Sequence, residues 1–407
     1  MTANDSLERF ALTGRLVSPG EDIARGIIAV EGNRIAFAGE EHEFAFFDES
    51  ETYELRESPE GTIIIPGLID LHCHGAAGGD FPSGDPEAIA TAIGHLHRSG
   101  TTTFLASLVT APRADMLSAA AVLSEFAQRG DIAGIHAEGP FLSESRCGAQ
   151  DPAFITDPDP DFVDELIEAS AGQLRTMTYA PERPGSDALL EQLVSQGVVP
   201  SLGHTDADAA TAAASLAIAR EELASAGVDG FTERPTVTHL FNGMPPMHHR
   251  APGAVAACLE LAAKGKIIVE LVADGVHLDP AMVRTMFNLV GADSIALVTD
   301  SMSATGLADG SYKLGPSEVT VTNGEAHLGT SGVLAGGTAS MLQVLRAAVA
   351  SGVELGDAVI SATGVPASVL GLIDEAGRLH QGFVADLLVL DADLGLRQVV
   401  RNGRNLL

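Results

Sequence analysis

Residues 68–75 read LIDLHCHG, an apolar run that ends in two histidines separated by one residue. Four later apolar runs also end in a side chain that can bind a metal ion: IHAEGP (135–140), SLGHTD (201–206), TVTHLFN (236–242) and IALVTD (295–300). In chain order these runs supply His72, His74, Glu138, His204, His239 and Asp300. Neutral imidazoles and carboxylates are the ligands of hydrolytic zinc or iron ions. The recurring pattern predicts a metal site built from the ends of several strands.

These runs belong to a longer series in which short apolar strands alternate with helical patterns from about residue 62 onward. The eight candidate strands lie at 69–74, 101–107, 133–138, 174–180, 198–204, 236–242, 266–273 and 294–300. This alternation is typical of βα units around a parallel sheet. Eight such units close into a (β/α)₈ TIM barrel, an α/β fold whose active site lies at the carboxyl ends of the strands. We therefore predict a barrel over residues 62–375, with the metal-capable side chains at that end.

The two ends of the chain follow a different pattern. Segments such as RLVSPG (15–20) and GIIAVEGNRIAFAGE (26–40) read as short strands separated by turn residues, and the tail beyond residue 376 reads similarly. They predict a small β-sandwich domain formed by residues 1–61 and 376–407. The segment 302–336, which is rich in glycine and threonine, is interpreted as a functional loop after the eighth strand.

Composition excludes several classes of function. The formal charge of −32, with only three lysines, argues against a nucleic-acid partner, because phosphate backbones are bound by clustered cations. No apolar run approaches the roughly 18 residues of a membrane span, and the amino terminus lacks the pattern of a secretory signal. The three cysteines are far apart and form no CxxC pair, as expected of reduced thiols. We expect a cytoplasmic protein that binds neither nucleic acid nor membrane.

The metal-capable residues divide into two groups. Strand alternation places His72 and His74 on one face, where they can hold one ion, while Cys73 points away. Glu138, His204 and His239 form a His₂Glu set, a common arrangement at catalytic zinc. No lysine ends a strand where a carboxylated lysine could bridge two ions, so Glu138 is the candidate bridge. The sequence leaves one or two ions per chain open.

Asp300 follows a fully apolar strand and precedes a flexible segment. A carboxylate beside water whose pKa a metal has lowered suits a general base. We assign Asp300 as the catalytic base, which later returns the proton to the leaving nitrogen.

Six longer motifs carry a resemblance to a known family: HCHG, AEGPF, GHTDA, HLFNGM, ADGVHLDP and VTDSMSATG. In this order, and spread over nearly the whole chain, they closely resemble the N-acetylglucosamine-6-phosphate deacetylases of the amidohydrolase superfamily. The resemblance implies hydrolysis of the acetamide of an amino-sugar phosphate, in amino-sugar catabolism and cell-wall recycling. It also implies a divalent ion, for which we expect zinc with iron or another divalent ion as the alternative, and a homodimer.

The resemblance further implies a set of substrate-binding residues. Asn242 and Gly243 match a substrate-contacting pair, and Arg250 matches an arginine whose planar fork binds phosphate. His277 resembles a histidine that contacts the sugar and its phosphate, and either His277 or His136 is the candidate to stabilise the oxyanion. The remaining positions, which line the sugar pocket, are Ala149, Val333, Leu334 and Ala335.

One position departs from the family pattern. Gln150, in CGAQ (147–150), stands where relatives usually have a histidine, so the contact made by that side chain is open.

The sequence leaves two rival functions open. The first is another deacetylase, a deaminase or a cyclic-amide hydrolase of the same superfamily, which a substrate panel would separate. The second is a barrel that has lost catalysis and serves in assembly, which the complete ligand set disfavours.

Overall fold

The computed structural model describes residues 8–227, 232–329 and 332–407. Two large sheets organise these residues, one formed by both ends of the chain and one formed by its middle. Within the described ranges, no helix is both long and apolar enough to cross a membrane.

The terminal sheet begins with strands from the amino-terminal segment. These are β1 (Arg9–Ser18), β2 (Glu21–Glu31), β3 (Arg34–Glu40), β4 (Glu54–Arg56) and β5 (Ile63–Pro66), with helix α1 (Glu41–Phe44) after β3. β1 pairs antiparallel with β2 and parallel with β4 and β5. β5 therefore hydrogen-bonds to the terminal sheet although it lies just past residue 61.

The second sheet contains eight parallel strands in sequential order. After the first of them, β6 (Leu68–Cys73), comes the short hairpin β7 (Gly75–Ala76) and β8 (Gly79–Asp80). The other seven are β9 (Thr101–Leu108), β10 (Gly134–Glu138), β11 (Leu174–Tyr179), β12 (Val199–Leu202), β13 (Thr236–Val237), β14 (Ile268–Leu271) and β15 (Ile295–Leu297). A parallel bridge between Cys73 and Ser301 brings the segment after β15 back to β6. The predicted TIM barrel is confirmed, and each strand lies within a predicted strand segment to within a residue or two.

Helices surround the barrel. They are α2 (Pro86–Arg98), α3 (Arg113–Gln128), α4 (Pro160–Ala169), α5 (Ser186–Ser195), α6 (Ala209–Ala226), α7 (Gly253–Ala262), α8 (Pro280–Val290), α9 (Met341–Ala350), α10 (Leu355–Ala362) and α11 (Gly364–Val369). α2 shows why they dock: it buries Ile89, Ala92, Ile93 and Leu96, which recur at the spacing of one helical face. Its start is set by Asp85, whose side chain accepts the amide of Glu87.

Two apolar clusters fill the barrel region. The larger cluster lies between strands and helices and includes Phe104, Ile135 and Leu297. A second cluster joins Val199 and Ile268, the first residues of their strands, to Val365 and Val369 of α11. The same cluster also contains Leu105 in the middle of β9, and it therefore extends along the strands from their amino ends.

The segment 302–336 differs from the predicted loop. It contains the antiparallel strands β16 (Gly310–Leu314), β17 (Ser317–Thr322) and β18 (Glu325–Leu328), so the interpretation as a loop was wrong for this part, while a functional role stays a prediction. The turn between β17 and β18 is Asn323–Gly324, and both residues adopt positive φ. Asn-Gly between alternating apolar residues is a strong hairpin signal. The sequence signal was therefore present in SEVTVTNGEAHL.

The carboxyl-terminal strands complete the terminal sheet. They are β19 (Leu387–Leu390), β20 (Leu396–Arg401) and β21 (Arg404–Asn405), and β19 pairs antiparallel with β5. Alternate residues of β1 enter different apolar clusters, with Phe10 and Leu12 in one and Ala11 in the other. The prediction of a small β domain built from both termini is confirmed, and its strands form one continuous sheet.

Candidate metal centre and active site

Glu138 lies at the centre of the site. It is the last residue of β10, and its side chain is only 3% exposed. Glu138 Oε1 lies 2.9 Å from His204 Nε2 and 3.0 Å from His239 Nε2, and these two nitrogens are 3.1 Å apart. The predicted His₂Glu set is therefore brought together from three strands of the barrel.

The donor chemistry of this set fits a divalent ion. His204 Nδ1 donates to the carbonyl oxygen of Arg146 at 2.8 Å, so in the neutral ring Nε2 carries a lone pair. With His239 in the tautomer that is protonated at Nδ1, that lone pair, the His239 Nε2 lone pair and the carboxylate oxygen of Glu138 meet without a donor between them. Ligand atoms around a tetrahedral zinc at roughly 2.0–2.1 Å lie about 3.3 Å from one another, close to the observed spacing. A cation would satisfy all three atoms.

A second group forms around the two histidines of β6 and the turn that follows it. The Nε2 atoms of His72 and His74 are 3.0 Å apart, and Asp300 Oδ1 lies 3.5 and 3.4 Å from them. His74 Nδ1 lies 3.2 Å from the carbonyl oxygen of Ser107, and His72 Nδ1 lies 3.4 Å from Glu270 Oε2. Since both partners only accept, each ring in its neutral form, which is the form that binds a metal ion, turns its Nε2 lone pair toward Asp300. This group also suits a cation.

Glu138 stands between the two groups. Its Oε1 contacts His204 and His239, whereas its Oε2 lies 3.2 Å from His74 Nε2. Burial opposes ionisation, but the surrounding imidazoles, His72 first among them, hold the pKa of the Glu138 carboxyl well below its usual value. An ionised carboxylate with one oxygen toward each group has the geometry of a bridging ligand.

Asp300 faces both the metal group and the cavity. Its Oδ1 points to the histidines of β6, and its Oδ2 lies 3.5 Å from His277 Nε2. Burial opposes ionisation here too, yet His72, His277 and His74 hold the pKa of Asp300 well below its usual value. The carboxyl group is therefore ionised.

His277 is held by a residue that the sequence analysis did not assign. Asp274 Oδ2 lies 2.8 Å from His277 Nδ1, and Asp274 Oδ1 accepts the backbone amide of His277 at the same distance. Burial lowers the pKa of His277, but Asp274 and Asp300 outweigh it and raise that pKa to about 9. His277 thus carries a proton that its Nε2 can offer.

A cavity of about 180 Å³ opens over these groups. Of the predicted residues, those that line it are His74, Glu138, Ala149, His204, His239, Asn242, Gly243, His277, Asp300, Val333 and Leu334. Four further lining residues were not predicted: Gly148, Gln150, Leu314 and Gly336. Most of the predicted substrate positions therefore surround one pocket.

Two predicted substrate residues are placed elsewhere among the described residues. Ala335 is buried in an apolar cluster, and its amide donates to the carbonyl oxygen of Ala326 at 2.9 Å. Arg250 is exposed on the loop after β13, where its Nη1 lies 2.7 Å from His249 Nε2. Neither residue is part of the cavity lining that the structure describes.

His136 shares the inward face of β10 with Glu138 but lies deeper in the barrel. Its Nδ1 lies 2.9 Å from Ser107 Oγ, and its Nε2 lies 2.8 Å from Thr178 Oγ1. Burial, and then the charge of His72, lower the pKa of His136 well below its usual value, so the ring is neutral. With both ring nitrogens engaged by hydroxyl groups, His136 is not placed to contact an oxyanion, and His277 is the candidate that faces the cavity.

The backbone is strained where the ligands leave the strands. His204, His239 and Asp300 all adopt positive φ, at 47°, 27° and 48°. For residues other than glycine this costs on the order of 1–3 kcal/mol each and persists where surrounding structure enforces it. Gly243 also has positive φ, and a Cβ there would approach His204 Nδ1 to 2.8 Å. The loops after β12 and β13 are thus packed to hold their side chains at the site.

Sequence reasoning missed the residues that orient the ligands. Glu270 Oε2 lies near His72 Nδ1 and also accepts the backbone amide of His239 at 3.3 Å. Its signal was a carboxylate inside the apolar run KIIVELVA (266–273), where an unpaired charge is costly. Asp274 was visible in ADGVHLDP. The carbonyl of Arg146 has no sequence signal.

The chain is similar to known proteins over most of its length. The model of the Amidohydrolase family matches residues 63–406. The chain is 30% identical over 387 residues to the N-acetylglucosamine-6-phosphate deacetylase of Bacillus subtilis (strain 168), covering 93% of this chain and 92% of that protein. It is 34% identical over 355 residues to the enzyme of the same name from Lysinibacillus sphaericus, covering 84% and 85%.

Solved structures share the architecture. A mutant of the N-acetyl-D-glucosamine-6-phosphate deacetylase of Mycobacterium smegmatis, in complex with N-acetyl-D-glucosamine-6-phosphate, superimposes with a TM-score of 0.88. It is 36% identical in sequence, and the match covers 98% of this chain and 100% of that one. The match therefore extends over both the barrel and the terminal sheet.

Proposed function

The chain belongs to the amidohydrolase family and is a hydrolase, and on that premise we propose that it deacetylates N-acetyl-D-glucosamine 6-phosphate. The products are D-glucosamine 6-phosphate and acetate. The proposal is carried by the convergence of Glu138, His204, His239 and Asp300 in one cavity. Relatives that match nearly the whole chain bear the name of this activity, which supports the same substrate here.

The described donors divide between two ion positions. Glu138, His204 and His239 would hold the first ion, and His72 and His74, together with oxygens of Glu138 and Asp300, would hold the second. A zinc ion bound there supplies a Lewis acid, which lowers the pKa of water to about 7. Zinc is proposed because imidazole and carboxylate ligands suit it, with iron or another divalent ion as the alternative.

Asp300 performs the proton transfers. Its ionised carboxylate takes a proton from the attacking water as the oxygen of that water bonds to the acetamide carbonyl carbon. Asp300 then returns this proton to the nitrogen, and the C–N bond breaks, because the amine is a poor leaving group until it is protonated. A positioned acid or base of this kind contributes roughly 10²- to 10⁴-fold to the rate.

His277 and the loop after β13 bind the substrate. His277, held by Asp274 and protonated, donates from Nε2 to a substrate oxygen in the cavity. Asn242 and Gly243 line the same cavity, which supports a role for them in binding the sugar. Arg250 follows them on the same loop, is exposed, and has no carboxylate partner among the described residues, which leaves its guanidinium available for the phosphate.

The proposal includes a setting for the enzyme. We place it in the cytoplasm as a homodimer that acts in amino-sugar catabolism and cell-wall recycling. The acidic chain, with a net charge of −32, supports a small-molecule substrate over nucleic acid. Light scattering coupled to size-exclusion chromatography would measure the subunit number directly.

The test is acetate release by the purified protein. We expect turnover of N-acetylglucosamine 6-phosphate that is lost after chelation and restored by added zinc, with metal content measured by elemental analysis. The same preparations should be offered unphosphorylated N-acetylglucosamine, the galactose epimer of the phosphorylated sugar, a purine nucleoside and a cyclic amide. Full activity of metal-free protein would exclude the proposed chemistry. Preferred turnover of the nucleoside or the cyclic amide would instead support a rival hydrolase.

A further inference from the structure

Gln150 is a buried amide that the proposed reaction does not use. Its Oε1 accepts the backbone amide of Thr110 at 2.7 Å, and its Nε2 donates to Glu138 Oε2 at 2.5 Å. A backbone N–H can only donate, so Oε1 must face Thr110 and Nε2 must face the carboxylate. Both the oxygen and the nitrogen of the amide are thus hydrogen-bonded within the protein, and the residue is only 5% exposed.

The turn that contains Gln150 touches two ligands of the first ion. The carbonyl oxygen of Arg146 accepts His204 Nδ1–H, and the amide of Gln150 donates to the carbonyl oxygen of Cys147 at 2.9 Å. Thr110 Oγ1 in turn donates to the backbone carbonyl of Glu138 at 3.0 Å. The turn over residues 146–150 and Thr110, just after β9, therefore hold Glu138 and His204 relative to each other.

The hydrogen bond from Gln150 makes the two carboxylate oxygens of Glu138 unequal. Oε1 lies 2.9 and 3.0 Å from His204 and His239, is farther from His72 Nε2 at 3.7 Å, and makes no contact with Gln150. Oε2, which also faces His74 Nε2 at 3.2 Å, accepts the hydrogen bond from Gln150. A carboxylate oxygen that already accepts a charge-assisted hydrogen bond has less electron density to offer a cation. The amide therefore favours an ion on the Oε1 side over one on the Oε2 side.

We propose that Gln150 is a positioning residue that orients Glu138, strengthening the first ion position and weakening the second. The inference rests on the metal centre of the proposed function and adds a loading order to it. The ion held with His204 and His239 binds first and tightly, and the ion held with His72 and His74 binds second.

The experiment measures zinc affinity in the full-length protein by competition with a chromophoric chelator. In Gln150→Met, a side chain of similar length makes neither hydrogen bond. Removing an orienting partner of a metal ligand commonly costs about 10- to 100-fold in metal affinity, and we expect a loss in this range for the first ion. The second ion should keep its affinity to within about threefold or bind more tightly, so the ratio of the two dissociation constants shrinks.

The ratio of the two dissociation constants distinguishes a specific effect on Glu138 from a general loss of structure around the metal centre. If Gln150 only fills space, the two affinities should stay unchanged or fall in parallel, and either result would overturn the proposal. The double variant His72→Asn/His74→Asn supplies a background in which the first ion alone is read. Gln196→Met makes the same chemical change at an exposed position after α5 and should leave both affinities unaltered.

A second variant controls for misfolding. Gln150→Asn keeps the amide but is one methylene shorter, so it reaches one of its two partners, and its loss of first-ion affinity should be smaller than that of Gln150→Met. Wild-type affinity in a folded Gln150→Met or Gln150→Asn protein would show that Gln150 positions nothing. The assay reads ion binding rather than turnover, so a protein that binds zinc without deacetylating the sugar would refute the proposed function alone.

Discussion

Replacing Asp300 by asparagine tests the proton-transfer step with the smallest change of shape. The amide keeps an oxygen that can occupy the place of Oδ1, about 3.5 Å from the imidazoles of His72 and His74. It cannot accept a proton from water. Loss of a general base is worth about 10²- to 10⁴-fold, which corresponds to roughly 2.7–5.4 kcal/mol in the activation free energy. We expect this loss to appear in kcat.

The assay pairs acetate release with elemental analysis of the same preparation. Because Glu138, His204 and His239 form the first ion position without Asp300, we expect that ion to remain bound in Asp300→Asn. The matched control is Asp293→Asn, the same chemical change at an exposed position before β15, which should behave as wild type. An Asp300→Asn protein that retains its metal and turns over within about threefold of wild type would show that another group is the base.

Three further predictions concern binding. Arg250→Ala should raise KM for the phosphorylated sugar by about 10- to 100-fold, since a charge-assisted bond contributes roughly 1.5–3 kcal/mol; an equal rise with the unphosphorylated sugar would remove Arg250 from the phosphate site. The double variant His72→Asn/His74→Asn should bind one ion fewer per chain while keeping some activity, and unchanged stoichiometry in fully loaded protein would refute the second position. Gly243→Ala should weaken zinc binding and lower the free energy of unfolding by about 1–3 kcal/mol, because the new methyl group meets His204 Nδ1 at positive φ; calorimetry and a chelator titration that both match wild type would contradict this reading.

The barrel could be predicted because its signals are local. A short apolar run bounded by turn residues favours a buried strand, and the ends of parallel strands meet at one face of a barrel. That rule alone brings Glu138, His204 and His239 together, although they are separated by as many as 101 residues. The hairpin in SEVTVTNGEAHL was also readable, since Asn-Gly between alternating residues is a local turn signal. It was overlooked because the flanking glycines suggested a loop.

Of the substrate-binding residues assigned from motif resemblance alone, some line the cavity and others do not. Ala149, Asn242 and Gly243 line the cavity, whereas Ala335 packs into an apolar cluster. A motif carries the order of residues but not the direction of each side chain on a short irregular segment. Arg250 illustrates the same limit, since its side chain is exposed and contacts His249 rather than the described cavity lining.

The amino-acid sequence by itself determined the strand order, the end of the barrel that carries chemistry and the kinds of ligand gathered there. Tertiary structure alone decided how those ligands are oriented. Glu270 reaches His72 across 198 residues of chain, and Gln150 reaches Glu138 through a turn that no periodicity describes. Strand patterns arise from near neighbours, and so they can be read along the chain. The direction of a lone pair depends on hydrogen bonds between distant loops, and these exist only when the barrel has closed.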